Sequence, residues 1–123
     1  MTLVEINTLI GLHFLADWVF QPRRVAEKKS KSNICLILHM MVIYFVFIPY
    51  VYLFDKDPSL ALINAILHGI IDKFSWTGYI WARWAVNKAI TGEQFKYWED
   101  YWFYFTIAVD QYIHLLILFL IFY

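Results

Sequence analysis

The sequence predicts an all-α integral membrane protein, a bundle of four transmembrane helices with an interfacial helix between the third and the fourth. Three observations predict it: an excess of apolar residues, four segments long enough to span a bilayer, and ionisable residues at helical spacing inside those segments. Of the 123 residues, 62% are hydrophobic and 21% aromatic against 16% charged, with a mean hydropathy of +0.56. An ordinary globular chain is about 45–50% apolar and about 25% charged, so the surplus calls for a second solvent. Six Trp, nine Tyr and eleven Phe cannot all enter the one modest core that a soluble chain of this length buries. The same composition excludes a disordered chain, and ten basic against ten acidic residues exclude a basic nucleic-acid-binding surface. Cys35 is the only cysteine, so no intrachain disulfide forms and a thiolate metal site is not expected.

The spans are read at about 3–20, 32–54, 59–82 and 101–123, within a single domain covering 1–123. Each reaches across a hydrocarbon core of about 30 Å at 1.5 Å per residue. The first holds His13 and Asp17; no basic residue precedes it and no small-residue cleavage site follows, so it reads as a span rather than a signal peptide. The second contains no Asp, Glu, Lys or Arg, and Pro49 near its end removes one helical hydrogen bond at a place where neighbouring helices compensate. The third holds His68, Asp72 and Lys73, and the fourth Asp110 and His114.

Loop charges set the orientation. Arg23, Arg24, Lys28, Lys29 and Lys31 crowd the first loop against Glu27, the second loop has only Lys56, and the third adds Arg83, Lys88 and Lys96. By the positive-inside rule the first and third loops are cytoplasmic and both termini face outward. Trp18, Trp76, Trp81, Trp84, Trp98 and Trp102 then form a one-sided aromatic belt. The stretch 81–102, rich in aromatics and charges, predicts a short helix in the interface plane, ended by Gly92.

All four histidines and three of the acids lie inside the spans, where an ionisable group costs about 2.5–3.5 kcal/mol on insertion scales. They come as His13-x3-Asp17, His68-x3-Asp72 and Asp110-x3-His114, with His39 alone on the second span. Spacing i,i+4 places both members on one helix face. The stripes extend to Gln21 on the first span, Asn64 on the third, and Thr106 with the adjacent Gln111 on the fourth. Such stripes are satisfied only by facing one another in the bundle interior. Counted from the cytoplasmic boundaries at about 1.5 Å per residue, the seven groups spread over about 15 Å of depth, room for one metal ion or for two a few ångströms apart.

Imidazole and carboxylate are ligands of zinc, manganese and iron, and a bound cation makes buried carboxylates tolerable. The expected metal set is His13, Asp17, His39, His68, Asp72, Asp110 and His114, with Asp17, Asp72 and Asp110 also the candidate catalytic acids, and Gln21, Asn64 and Gln111 orienting ligands or substrate. The ion is a divalent metal, zinc first and manganese or iron as alternatives. Hydrogen-bonding glue is the plainer reading, but polar contacts in bundles are worth only about 0.6 kcal/mol and do not call for carboxylates. Lys73, about 100° round the helix from Asp72, is expected to snorkel to the interface.

His13-x3-Asp17-Trp18-x2-Gln21, the basic Glu27-Lys28-Lys29, His39, His68-x3-Asp72 and Asp110-Gln111-x2-His114 together resemble the small bacterial and phage membrane proteins catalogued as domain of unknown function 3307. The resemblance covers most of the chain and implies a bacterial inner (cytoplasmic) membrane, but brings no activity with it. More loosely, the His/Asp pattern is similar to membrane-bound metal-dependent hydrolases, which by analogy implies hydrolysis. The reading that results is a hydrolase of a lipid-linked or interfacial phosphoester or amide, working from the cytoplasmic side, with the lipid bilayer as partner, no nucleic acid, and room for a homo-oligomer. The alternatives are a proton or ion relay along the same stripes, a phage accessory module acting on the host membrane, and a haem held between two histidines.

Overall fold

The computed structural model describes residues 1–21, 32–87 and 101–123. Among them the chain is helical, with no strand: α1 (Leu3–Phe14) passes into a π-helical turn at Leu15–Val19, and α2 (Asn33–Leu53), α3 (Ser59–Asn87) and α4 (Tyr101–Phe122) follow. The boundaries fall within a few residues of the expected spans, except that 83–87 continue α3 instead of opening an interfacial helix. The rest of that expected helix, and the basic first loop, lie outside the described residues.

Each helix start has a local cause. Thr2 caps α1 in a reciprocal box: Glu5 N–H donates to Thr2 Oγ1 at 3.2 Å, and Thr2 N–H donates to Glu5 Oε2 at 2.6 Å. Ser32 caps α2 through its side chain. Near the start of α3 the Asp57 carboxylate accepts from Ser59 N–H at 2.9 Å, which holds its pKa below the usual carboxylate range. At the other end of α2, Asp55 turns left-handed with φ 51°, and Lys56 N–H reaches back to the Val51 carbonyl at 2.7 Å. That is the closing bond of a Schellman-type stop, with aspartate in the place glycine usually takes. Pro49 is accommodated within α2.

The helices run antiparallel in sequence order. Lys56 Nζ pairs with Glu5 Oε1 at 3.3 Å, and the Phe122 ring stacks on Phe47 and meets Tyr50 edge-on, so both termini share one end with the turn at 54–58. Behind that end lies an apolar layer in which Leu9, Ile43, Phe47, Ala61 and Leu118 are fully or almost fully buried. At Gly69 a Cβ would run into the Met40 side chain, so α2 and α3 meet closely there.

Outside and inside are inverted relative to a soluble bundle. Leu3, Ile34, Phe45 and Leu120 are 60–78% exposed, while His39, His68, Asp72 and His114 are 1–3% exposed. Among the described residues two helices, Asn33–Leu53 and Tyr104–Phe122, are long and apolar enough to cross a membrane. The other two expected spans carry much of the polar interior: Glu5, His13 and Asp17 on the first, and Asn64, His68 and Asp72 on the third.

The helices are also staggered. Lys73 Nζ donates to Asn33 Oδ1 at 2.7 Å, setting Lys73 level with the first residue of α2. From there α3 continues to Asn87, about 20 Å at 1.5 Å per residue. The expected 15 Å spread of ionisable groups rests on a common boundary for the helices, and α2 and α3 do not share one.

Phe47→Ala should lower the unfolding free energy by about 3 kcal/mol, because a fully buried ring stacked on Phe122 leaves a cavity. Thermal unfolding in detergent checks it; an unchanged midpoint would mean the apolar layer is not packed as described.

Candidate metal centre

The polar stripes meet at one level. His13 on α1 and Asp17 in the π-turn are buried together, and the turn is closed by Phe20 N–H donating to the Leu15 carbonyl at 2.7 Å. Extra-residue turns of this kind re-aim a side chain, and here the residue carried is Asp17. His39 comes from α2, His68 and Asp72 from successive turns of α3, and Asp110, Gln111 and His114 from α4. All seven histidines and aspartates singled out from the sequence are within this one cluster.

Its centre is His39 Nε2. This atom lies 3.0 Å from His68 Nε2, 3.1 Å from Asp17 Oδ1 and 3.1 Å from Asp72 Oδ2. His68 Nε2 is in turn 3.2 Å from Asp72 Oδ2 and 3.6 Å from Asp17 Oδ1. One imidazole nitrogen has one position for a hydrogen, so it cannot bond three partners at once. Four lone-pair-bearing atoms converging in a dry interior are what a cation needs, and Asp17, His39, His68 and Asp72 are arranged so that they could hold a metal ion. Nδ1 of His39 is buried with no hydrogen-bond partner among the described residues, so Nε2 is the nitrogen engaged with the cluster.

The cluster extends towards α4. The His114 ring stacks on His68 with centroids 3.9 Å apart and planes 7° from parallel. Its Nδ1 lies 3.3 Å from Asp110 Oδ2 and its Nε2 3.6 Å from Asp72 Oδ1. Two further groups could hold a metal ion: Asp72, Asp110 and His114, and His13, Asp17 and His114. Gln111 ties the acids together, its Nε2 donating to Asp17 Oδ2 at 2.8 Å and to Asp110 Oδ2 at 3.2 Å. That fixes the amide, so its Oε1 faces His13 Nε2 at 3.0 Å and accepts a hydrogen from it.

Of the other residues expected at the site, Asn64 is buried one turn before His68 and makes no hydrogen bond to the seven. Gln21 lies past the π-turn, and its buried Oε1 has no partner among the described residues. Lys73 points away to Asn33. Sequence reasoning passed over Ser75, whose hydroxyl donates to Asp110 Oδ1. Its signal was available, since Asp72 and Ser75 are i,i+3 on one helix and Ser75 extends that stripe. Ser75 and Asp110 also line a groove of about 430 Å³ between α3 and α4, walled by Ile70, Phe74, Phe105 and Val109.

The imidazole nitrogens of His39 and His68 are in direct contact, which leaves no room for a haem plane between them.

Among known families, one described as a protein of unknown function, DUF3307, matches residues 6–123. No curated protein and no solved structure matches the chain.

Gln111→Leu strips the His13 and Asp17 side chains of a shared buried partner. The expected cost is about 2 kcal/mol of stability, read from unfolding in detergent. A neutral result would mean that this bridge is not made in the folded protein.

Proposed function

The chain belongs to the DUF3307 family, and from the cluster that its helices enclose we propose that it is a four-span integral membrane metalloprotein, a metal-dependent hydrolase of lipid-linked or interfacial phosphoesters or amides. One observation carries this reading: His39 Nε2 is met by three lone-pair-bearing atoms within 3.1 Å, more than any hydrogen can serve. Zinc suits the mixed nitrogen and oxygen donors, with manganese and iron as alternatives.

A bound divalent ion supplies a Lewis acid and offsets the charge of the carboxylates. The residues do the rest. Asp17, Asp72, His39 and His68 would hold the ion, and Gln111 holds Asp17 and Asp110 in register. Asp110 has a side chain 10% exposed beside the groove, where Oδ1, the oxygen turned away from His114 and Gln111, meets an entering water and takes its proton. The hydroxyl goes to phosphorus or to the acyl carbon, the bond to the leaving oxygen or nitrogen breaks, and Asp110 returns the proton to the leaving group.

The inverted surface supports four membrane-embedded helices, with apolar side chains facing lipid and the acids enclosed. Loop charges, Arg23, Arg24, Lys28, Lys29 and Lys31 in the first loop and Arg83, Lys88 and Lys96 in the third against Lys56 alone in the second, support a cytoplasmic first and third loop in a bacterial inner membrane, with both termini outside.

Purified protein should hydrolyse a lipid-linked phosphoester or amide, lose activity on chelation and regain it with zinc or manganese; His68→Ala should lose the metal and about 100-fold or more in rate, beyond the roughly 10–100-fold lost when only a partner supporting a metal ligand is removed. Proton flux across proteoliposomes that survives chelation, with no hydrolysis, would point to the relay instead. For topology, Thr2→Cys in a Cys35→Ser background should react with an impermeant maleimide from outside the inner membrane. Labelling only after the membrane is broken would reverse the orientation.

A further inference from the structure

Seven buried ligand-type residues exceed what one ion uses, and the way the carboxylates are turned divides them. Asp72 faces His39 and His68 with Oδ2, at 3.1 and 3.2 Å, while its Oδ1 lies towards His114 at 3.6 Å. We propose that the centre is binuclear, a reading that rests on the metal-dependent one above: one ion held by Asp17, His39, His68 and Asp72, a second by Asp72, Asp110 and His114, with Asp72 the carboxylate bridging them.

The third candidate group is closed by its own neighbours. Gln111 lies between His13 and Asp17, and because its amide nitrogen is spent on the two carboxylates, His13 must donate from Nε2 to the amide oxygen. A nitrogen carrying hydrogen has no lone pair for a metal, and Nε2 is the His13 nitrogen turned to Asp17, at 3.9 Å. Asp17 accordingly turns Oδ2 to Gln111 and keeps Oδ1 for His39 and His68. His13 is a positioning residue that acts through Gln111 on Asp17.

The two remaining groups differ in kind. Four protein ligands complete a tetrahedral shell, the pattern of a closed site, whereas three leave a position open, the pattern of a reactive one. The three-ligand group contains Asp110, which borders the groove between α3 and α4 and keeps Oδ1 on the groove residue Ser75 while Oδ2 lies towards His114. The open position therefore faces the one polar edge of an otherwise apolar slot.

Charge points the same way. Three carboxylates with neutral imidazoles carry −3, so one divalent ion leaves a net negative charge in a dry interior, while two leave +1. A residual positive charge beside an apolar groove selects an anionic phosphoester on a hydrocarbon chain over a neutral amide.

The test uses full-length protein in detergent, stripped by chelator and reloaded with Mn²⁺. Two equivalents and an exchange-coupled electron paramagnetic resonance signal are expected, since ions sharing a carboxylate in two-metal sites lie about 3.5–4 Å apart. Asp110→Asn should keep one equivalent with an uncoupled spectrum, and His13→Phe should keep both. One equivalent in the unaltered protein, with metal-dependent hydrolysis intact, overturns the binuclear centre and leaves the hydrolase standing. Two coupled equivalents in Asp110→Asn, or the loss of one in His13→Phe, overturns the assignment of the second ion. Failure to bind any metal overturns both readings. If Asp110→Asn does not fold, the spectrum of the unaltered protein and the His13→Phe stoichiometry decide the matter.

Discussion

Seven ionisable side chains without bulk water must satisfy one another, and most of the structure follows from that constraint. Histidines and aspartates at 0–10% side-chain exposure come from all four helices, so no helix can move or rotate without stranding a polar group on another. The apolar layer fills space but does not by itself choose register, because lipid solvates a leucine about as well as another helix does. Register belongs to contacts such as His39 with Asp17 and Asp72, or Gln111 with His13 and Asp17, which tolerate shifts of a few tenths of an ångström and no more.

Much of this was legible in the sequence. The i,i+4 pairs declared which faces turn inward, since a carboxylate one turn from a histidine in an apolar run has no other place to go. The six residues of those pairs converge together with the lone His39, and Gln111, adjacent to Asp110, sits among them. Less legible was anything that depends on how helices slide past each other. Counting depth from assumed boundaries spread the groups over about 15 Å, whereas the bond from Lys73 to Asn33 shows that α2 and α3 start and end at different levels. Periodicity fixes rotation about an axis and says little about translation along it.

Two details were beyond reach of spacing for a different reason. The π-turn at Leu15–Val19 breaks the 3.6-residue rule on which the stripe from His13 through Asp17 to Gln21 was drawn, and Gln21 is left without a bond to the cluster. Asn64 follows the periodic stripe on α3 but lies one turn short of the level at which the ligands meet, among Ala61, Ala65 and other apolar neighbours. A stripe marks an inward face over its whole length, while a site occupies only the turn or two where several stripes cross. Ser75 shows the converse, a residue at the edge of the crossing that becomes informative only once its partner on α4 is known.

The layer formed by Leu9, Ile43, Phe47 and Leu118 has an electrical meaning as well as a packing one. In a bilayer the transmembrane potential falls across low-dielectric material, where moving one charge through the full drop is worth about 2.3 kcal/mol per 100 mV. Were the helices to span a bilayer as proposed, that layer would lie between the cluster and the terminal end of the bundle, and much of the drop would fall across it. A charged group arriving from the loop end would then cross less of the field than one arriving from the terminal end, so the energised state of the membrane would weigh little on its entry.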